Sequence, residues 1–475
     1  MSTINIIILV ILLTLLFIAV YDVIQKKHTV WRKYPIIGRM RWVMEDLRPK
    51  IQQYFVEDNI NGKPIPKYQR DIIYQRAKGE NDKVPFGTEL DLYEDGRAWM
   101  NHSNYPLSEK DFKKESLRVT IGEGTCKKPY KSSIVNISAM SYGSLNKNAI
   151  RSLAIGSKNG IFALNTGEGG ISNYHLEAND LIWQIGTGYF GCRNEEGRFD
   201  INQFALNASR DQVKMIEIKI SQGAKPGHGG ILPAKKNTKE IAEIRGVEPG
   251  VEIVSPPGHT AFKSAKQMIG FISRLRTVCD KPIGIKMCIG SKSEFNQLLK
   301  VMVSGNTYPD FITVDGAEGG TGAAPLEFTN ATGMPLMEAI VFVNNSLKDN
   351  NLREKIKVIA SGKVINAFDI AKAIALGADM INMARPFMIS MGCIQARLCH
   401  TGKCPAAIAT HKKSYLLDVK DKSKRVARFH KETIHSLVEV LCAAGINRVD
   451  RIHPTHISVR KDGEIKTLKD AYKVK

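Results

Sequence analysis

Phe311 to Gly322 reads FITVDGAEGGTG, an apolar run from Phe311 to Val314 delivered into a loop of acidic and small residues. Short apolar runs bounded by turn residues are strands, and their alternation with amphipathic helical stretches marks β/α units. From Ser132 onward the pattern recurs. Eight runs qualify: Ile134 to Ala139, Ile161 to Leu164, Met215 to Ile220, Val251 to Val254, Ile283 to Met287, Phe311 to Val314, Val358 to Ala360 and Asp379 to Met383. Helical stretches between them include Asn146 to Ser157, Thr260 to Arg276, Ser293 to Val303, Pro335 to Ser346 and Ala367 to Leu376. Eight such units are the count for a (β/α)8 barrel, with a doubly wound open sheet as the alternative. The loops after the strands decide for the barrel: Ser141 to Gly143, Asn165 to Gly170, Gln222 to Gly230, Ser255 to Gly258, Gly290, Asp315 to Gly322, Ser361 to Lys363 and Ala384-Arg385. One glycine loop is an ordinary tight turn. A small-residue or polar loop at nearly every strand end describes the C-terminal face of a barrel, where a ligand sits.

Upstream, Ile6 to Val20 is apolar except for Thr14, and a helix over Ile4 to Ile24 is about 30 Å long, one bilayer core. Met1 to Asn5 carries no Lys or Arg and Ala19-Val20-Tyr21 is a poor cleavage site, so a membrane anchor is expected rather than a signal peptide. Lys26, Lys27, Arg32, Lys33, Arg39 and Arg41 follow at once, which places the rest of the chain in the cytoplasm. The expected fold is therefore α/β: a TIM-type barrel preceded by one transmembrane helix and a docking segment. The expected divisions are a transmembrane helix at 4–24, the docking segment at 25–125, the barrel with its cysteine motif at 126–415, and a C-terminal helical extension at 416–475. A net charge of +21 raises the question of nucleic acid, but no zinc-finger spacing or aromatic-interleaved basic motif accompanies it. A basic face beside anionic lipid accounts for part of the charge, and runs such as Lys420 to Arg428 are solvated faces.

Cys393 to Pro405 reads C-x5-C-H-x3-C-P, with thiols at Cys393, Cys399 and Cys404. Thiolates suit iron and its sulfides, and three of them are too few for a closed tetrahedral zinc site; the alternative is three small buried hydrophobes. Cys126, Cys192, Cys279, Cys288 and Cys442 are scattered without motif spacing, which fits a reducing compartment. Gly362-Lys363 and Ala384-Arg385 follow the last two strands, where barrels hold phosphate. Lys286, ending the fifth strand, either points its ammonium at a ligand in the mouth or pairs with Asp315 or Glu318. Gly186 to Gly191 matches G-x-G-x-x-G between the second and third strands. Arg193-Asn194-Glu195-Glu196-Gly197 follows where a dinucleotide site needs an apolar helix face, so no separate NAD(P)H domain is read.

Six ordered motifs resemble the FMN-binding synthase domain of glutamate synthase over about residues 130 to 410. They are SAMSYG at 138–143, NTGEGG at 165–170, EIKISQGAKPGHGG at 217–230, SPP at 255–257, GGTGAAPL at 319–326 and MGCIQARLCHTGKCPAAIA at 391–409. The resemblance implies FMN contacts at Ser138, Ala139, Met140, Ser141, Gln184, Lys286, Gly362, Lys363, Ala384 and Arg385, and a [3Fe-4S] cluster on Cys393, Cys399 and Cys404. It implies that Lys219, Lys225 and Arg245 receive the two carboxylates of 2-oxoglutarate, with Glu168 and Lys286 as catalytic groups and 2-iminoglutarate reduced to glutamate. The chain departs from the family pattern at Tyr189 (Arg in the family), His228 (Glu) and Ile231 (Gln). It begins Met1-Ser2 and its first cysteine is Cys126, so it is not expected to hydrolyse glutamine. Ammonia, or an amine, is expected from solution or an amidotransferase partner, and electrons from a donor protein. The alternatives are amine transfer like that of N-methylglutamate synthase, and an FMN and iron–sulfur redox sensor without turnover.

Overall fold

The computed structural model describes residues 2–412, 414 and 417–475. The chain falls into two compact units, Met1–Tyr68 and Gln69–Lys475. In the first, helix α1 (Thr3–Ile24) is capped by Ser2, whose hydroxyl accepts the Asn5 N–H, and is long and apolar enough to cross a membrane. Helix α2 (Met40–Ile51) follows in the same unit.

In the second unit, eight parallel strands close into a barrel: β1 (Val135–Ile137), β2 (Leu164–Asn165), β3 (Leu181–Ile185), β4 (Val213–Lys219), β5 (Ile283–Met287), β6 (Phe311–Asp315), β7 (Lys357–Ser361) and β8 (Met380–Met383). Each pairs with the next in sequence, and Met383 opposite Ile137 closes the ring. Helices α3 (Lys147–Gly160), α4 (Ile201–Ala208), α5 (Lys239–Arg245), α6 (Ala265–Arg276), α7 (Lys292–Ser304), α8 (Leu336–Asp349), α9 (Ala367–Ala375) and α10 (Arg385–Ser390) lie between or after the strands. Their ends are chemically marked: the Asn146 side chain caps α3, Asn366 and Asp369 form a capping box on α9, and Gly246 ends α5 at a φ of 62°.

The barrel is as expected, but one of its strands is not where the sequence suggested. Val251 to Val254 is no barrel strand: Ile253–Val254 pairs antiparallel with Ile231–Leu232 in a separate two-stranded ribbon. The true third strand is β3. No α-helix separates it from β2, only a 3-10 turn at His175–Glu177, and all five of its residues are buried, so neither alternation nor a preceding helix betrays it. The glycine motif at Gly186 thus follows the third strand rather than preceding it.

A hairpin of Arg118–Ile121 and Tyr130–Ser133 plugs the barrel floor, with Ile121 and Tyr130 packed among Ala163, Ile182, Met215, Phe311, Ile359 and Met380 near the strand starts. The mouth is left at the C-terminal ends. Past the barrel, helix α11 (Val419–Ala443) packs along α3, and strands Ile457–Lys461 and Glu464–Thr467 join Ala98–Met100 in a small antiparallel sheet.

His430 on α11 is wedged beneath β1, stacked on Phe162 at 4.0 Å with its Nε2 3.1 Å from Val135 O. Burial pushes its pKa down to about 3, and that of His175 to about 4. An unfolded histidine takes up its proton near pH 6.5, whereas these folded ones do not, so protons favour the unfolded chain as pH falls below about 6.5. The unfolding free energy from urea titration should therefore drop between pH 7 and pH 5, by up to about 1.4 kcal/mol per histidine per pH unit below 6.5. His430→Gln should show a shallower pH slope, and equal slopes would contradict this reading.

Candidate functional site

Lys219 ends β4, and its Nζ lies 2.6 Å from Oε1 of Glu168 in the loop after β2. Lys225, in the loop after β4, and Arg245, closing α5, are both buried and complete the group. Burial alone would raise the Glu168 carboxyl, but Lys219, then Lys225 and Arg245, outweigh it and hold the group below the usual carboxylate range. Burial also pushes Arg245 down to about 10 and lowers Lys225. Arg245 donates from Nη2 to Tyr142 O at 3.2 Å and lies over the Phe190 ring at 5.0 Å, while its Nε is buried without a partner among the described residues.

Glycines make this packing possible. A Cβ at Gly186 or Gly230 would stand 2.6 or 2.9 Å from a Glu168 carboxylate oxygen, and one at Gly143 or Gly169 would stand 3.0 Å from Arg245 Nη2. The loops after β1, β2, β3 and β4 therefore close on a single ion cluster of three cations and one carboxylate.

Beside it, the strand register sets Lys286 of β5 opposite Lys219. Lys286 Nζ lies 3.6 Å from Asp315 Oδ2, which also accepts the Gly223 N–H at 2.8 Å. Burial works against the Lys286 ammonium, yet Asp315, Glu217 and Glu168 together raise its pKa above the ordinary value. Of the two partners expected for Lys286, Asp315 is the one observed. Glu318 instead accepts the Leu336 N–H at the start of α8, at 2.9 and 3.1 Å from its two oxygens.

Below these lysines Glu217 of β4 accepts from Gln184 Nε2 at 2.6 Å, Asn165 Nδ2 at 2.8 Å and Thr313 Oγ1 at 2.6 Å. Gln184 is thus tied into the barrel interior by its amide nitrogen. Ser138 Oγ is 3.3 Å from Ser361 Oγ, Ser141 Oγ is 2.9 Å from Ser144 Oγ, Met140 is buried, and Ala139 lies between Ser138 and Met140 just past β1. After β7, Gly362 has a φ of 131° and a Cβ there would come 3.1 Å from Gly316 N, a close approach that glycine permits. Lys363 follows at a φ of 54°. Ala384 precedes α10, and Arg385 opens it with Nη2 bonded to Glu318 O at 2.5 Å. Burial lowers the Arg385 pKa. All the residues singled out at the strand ends thus border one mouth.

The cysteine loop follows α10. Cys404 is buried, Cys393 and Cys399 half-buried, and all are free thiols. Burial, with its two neighbouring cysteines adding, pushes the Cys393 thiol up to about 11 and raises Cys399 as well. Lys236 donates to Cys399 O at 2.8 Å and to Ser144 O at 3.3 Å, and Tyr74 donates to Cys393 O at 2.6 Å. His411 Nε2 meets Gly143 O at 2.9 Å. Gly143-Ser144 is therefore shared between the thiol loop and the Arg245 pocket. Among the described residues, the one set of three ligands with atoms all within 4.8 Å of each other is the exposed Glu109, His435 and Glu439.

Glu217, Lys236 and His259 carry site geometry that the sequence reading passed over. His259 Nε2 bonds Lys219 O at 2.8 Å and its Nδ1 faces Tyr189 Oη at 3.0 Å, which also accepts the Ala261 N–H at 3.0 Å. Tyr189, one of the three departures, thus supports the backbone of Lys219 through His259. His228 turns its Nδ1 to Gly229 O at 2.9 Å, and Ile231 lies exposed on the ribbon. The only signal for Glu217 was a carboxylate inside an apolar strand.

A conserved region in glutamate synthase matches residues 74–447. A glutamate synthase large subunit-like protein of Bacillus subtilis, YerD, is 37% identical over 490 aligned residues, covering 94% of this chain and 93% of that protein. The archaeal glutamate synthase (NADPH) of Methanocaldococcus jannaschii is 35% identical, and the archaeal-type enzyme of Thermotoga neapolitana 33%. The alignment to each covers 69% of this chain and 62% of the relative.

The ion pair at the mouth should be strongly coupled. In a double-mutant cycle of Glu168→Gln and Lys219→Met read by urea midpoints, the coupling should be about 1–3 kcal/mol, as expected of contacting charges that are mostly out of water. Additive effects would show that the pair is not formed in solution.

Proposed function

The chain belongs to the glutamate synthase family and is a glutamate synthase-type oxidoreductase, and from this we propose that it is an FMN- and iron–sulfur-dependent enzyme that reductively aminates 2-oxoglutarate to glutamate by way of 2-iminoglutarate. The observation that carries the substrate is the charge count at the mouth: Lys219, Lys225 and Arg245 face a single carboxylate, Glu168, leaving two positive charges for a dicarboxylate. The unpartnered Nε of Arg245 is a donor awaiting an acceptor.

The residues also fit the cofactors. Gly362 lets the backbone approach a phosphate closely, and Arg385 is a desolvated guanidinium whose Nη2 donates to a backbone carbonyl rather than to a carboxylate. Gly362, Lys363, Ala384 and Arg385 would hold the phosphate of FMN, with Ser138, Ala139, Met140, Ser141, Gln184 and Lys286 at its ring. Cys393, Cys399 and Cys404 would hold the [3Fe-4S] cluster, with the Lys236 ammonium offsetting their negative charge. Bound there, FMN would supply hydride transfer and the cluster one-electron transfer.

The chain's own groups then have separable tasks. Lys219, Lys225 and Arg245 bind and orient the two carboxylates. Glu168, held ionised by those cations, accepts a hydrogen bond from the imine nitrogen rather than donating a proton. Lys286, held protonated by Asp315, is a fixed positive charge in the mouth that would stabilise negative charge on the ring of bound FMN. Helix α1 anchors the enzyme, with the barrel region 126–415 on the cytoplasmic side, ammonia arriving from solution or an amidotransferase, and electrons from a donor protein.

Anaerobically reduced enzyme mixed with 2-oxoglutarate and ammonium should re-oxidise its flavin and form glutamate. Re-oxidation with methylamine alone would favour N-methylglutamate formation, and none with either amine would leave the reaction unsupported. Cys399→Ser should lose its iron absorbance while keeping most of its flavin. Stoichiometric zinc in place of iron in the unmutated protein would overturn the electron-transfer role.

A further inference from the structure

Within the first unit, Asp22 sits fully buried at the end of α1 and accepts from Arg39, whose Nε lies 3.0 and 3.1 Å from its two oxygens and whose Nη2 lies 2.6 Å from Oδ1, as well as the Ile36 N–H at 3.0 Å. Arg39 lies in turn over the Trp31 ring at 4.4 Å, and Trp31, Trp42 and His28 pack edge to face or tilted. Ile36 is held at a φ of 63°, unfavourable for a β-branched residue, which shows how firmly this elbow is fixed. Arg39 immediately precedes α2, so α2 begins at the level where α1 ends.

Helix α2 is amphipathic in an unusual sense, because its apolar face is bare. Met40, Val43, Met44, Leu47 and Ile51 fall within an arc of about 100° at 100° per residue, and every one is exposed; Phe55, just beyond, is 85% exposed. Arg41 and Arg48 border that arc on one side and Lys50 on the other; Arg41 meets Glu45 at 2.9 Å and Lys50 meets Asp46 at 3.9 Å, all of them exposed, and basic side chains at the edge of an apolar face are long enough to reach past it. Lys26, Lys27, Arg32 and Lys33 add positive charge nearby, against Glu45 and Asp46.

We propose that α2 lies in the plane of the membrane interface, its Met40–Val43–Leu47–Ile51 face sunk among acyl chains and its flanking arginines and lysine on anionic headgroups. Two features choose lipid as the occupant: α2 starts immediately after Arg39, which is bonded to Asp22 at the end of a helix long and apolar enough to cross the bilayer, and the rim of its apolar face carries basic side chains. The proposal rests on α1 spanning the membrane. With it, the elbow becomes a second attachment that fixes the depth at which the chain leaves the bilayer.

The test uses the full chain in vesicles of phosphatidylcholine and phosphatidylglycerol brominated near the headgroup, with one tryptophan added on the apolar face, Leu47→Trp, or on the polar face, Glu45→Trp. Bromolipid should quench at least half of the emission added by Leu47→Trp and little of that added by Glu45→Trp. Replacing the phosphatidylglycerol by phosphatidylcholine should weaken the Leu47→Trp quenching, and equal quenching in both would overturn the choice of anionic lipid. If the protein floats with the vesicles but neither tryptophan is quenched, α2 is not membrane-bound while α1 still is. A doubled mass in detergent with that result would assign the face to a second copy and also overturn the proposal. Failure to float at all removes α1 and the elbow together.

Discussion

Four barrel strands meet on one buried carboxylate. Glu217 of β4 accepts from Asn165 of β2, Gln184 of β3 and Thr313 of β6, all at 2.6–2.8 Å. A carboxylate this deep is tolerable only when its oxygens are satisfied, and its satisfaction requires those strands to keep their register. The register in turn sets Gln184 opposite Glu217 and Lys286 opposite Lys219. The rim of the mouth is thus fixed from beneath, by a network that also holds positive charge above it through the pull of Glu217 on Lys286.

On that base the mouth is assembled by close approach. Glycines after four successive strands let backbone come against Glu168 and Arg245 where any larger residue would collide. What results is a site with excess positive charge in which no cation is free to turn away to solvent. The thiol loop is not a separate module: Lys236 ties it to Ser144, and the neighbouring Gly143 borders Arg245 and accepts from His411. The cysteine loop and the Arg245 pocket therefore share two adjacent residues, Gly143 and Ser144.

Much of this was legible in the sequence, for identifiable reasons. Strands such as Phe311–Asp315 are short apolar runs ending in glycine loops, and local pattern suffices to find them. Leu181–Ile185 escaped because the β/α rhythm breaks there, and Val251 to Val254 took its place in the count because a ribbon strand has the same local composition. The clustering of Lys219, Lys225 and Arg245 about Glu168 was legible only through family resemblance, since the residues are far apart along the chain. Residues that act through another were invisible: nothing in the spacing of Tyr189 and His259 says that they hold the carbonyl of Lys219. The bare face of α2 was hidden because an amphipathic helix reads alike whether protein or lipid covers it.

On the proposed function, the mouth binds a dianion. The sharpest measurement is a titration of the oxidised, flavin-loaded protein with 2-oxoglutarate and with 2-oxobutyrate, which keeps the oxo acid but lacks the second carboxylate. Charge-assisted contacts are worth about 1.5–3 kcal/mol, so 2-oxoglutarate should bind about ten- to a hundredfold more tightly, and Arg245→Met should erase most of that difference while leaving flavin content unchanged. Equal affinities for the two acids, or a preference that survives Arg245→Met intact, would show that the cation group does not select a dianion.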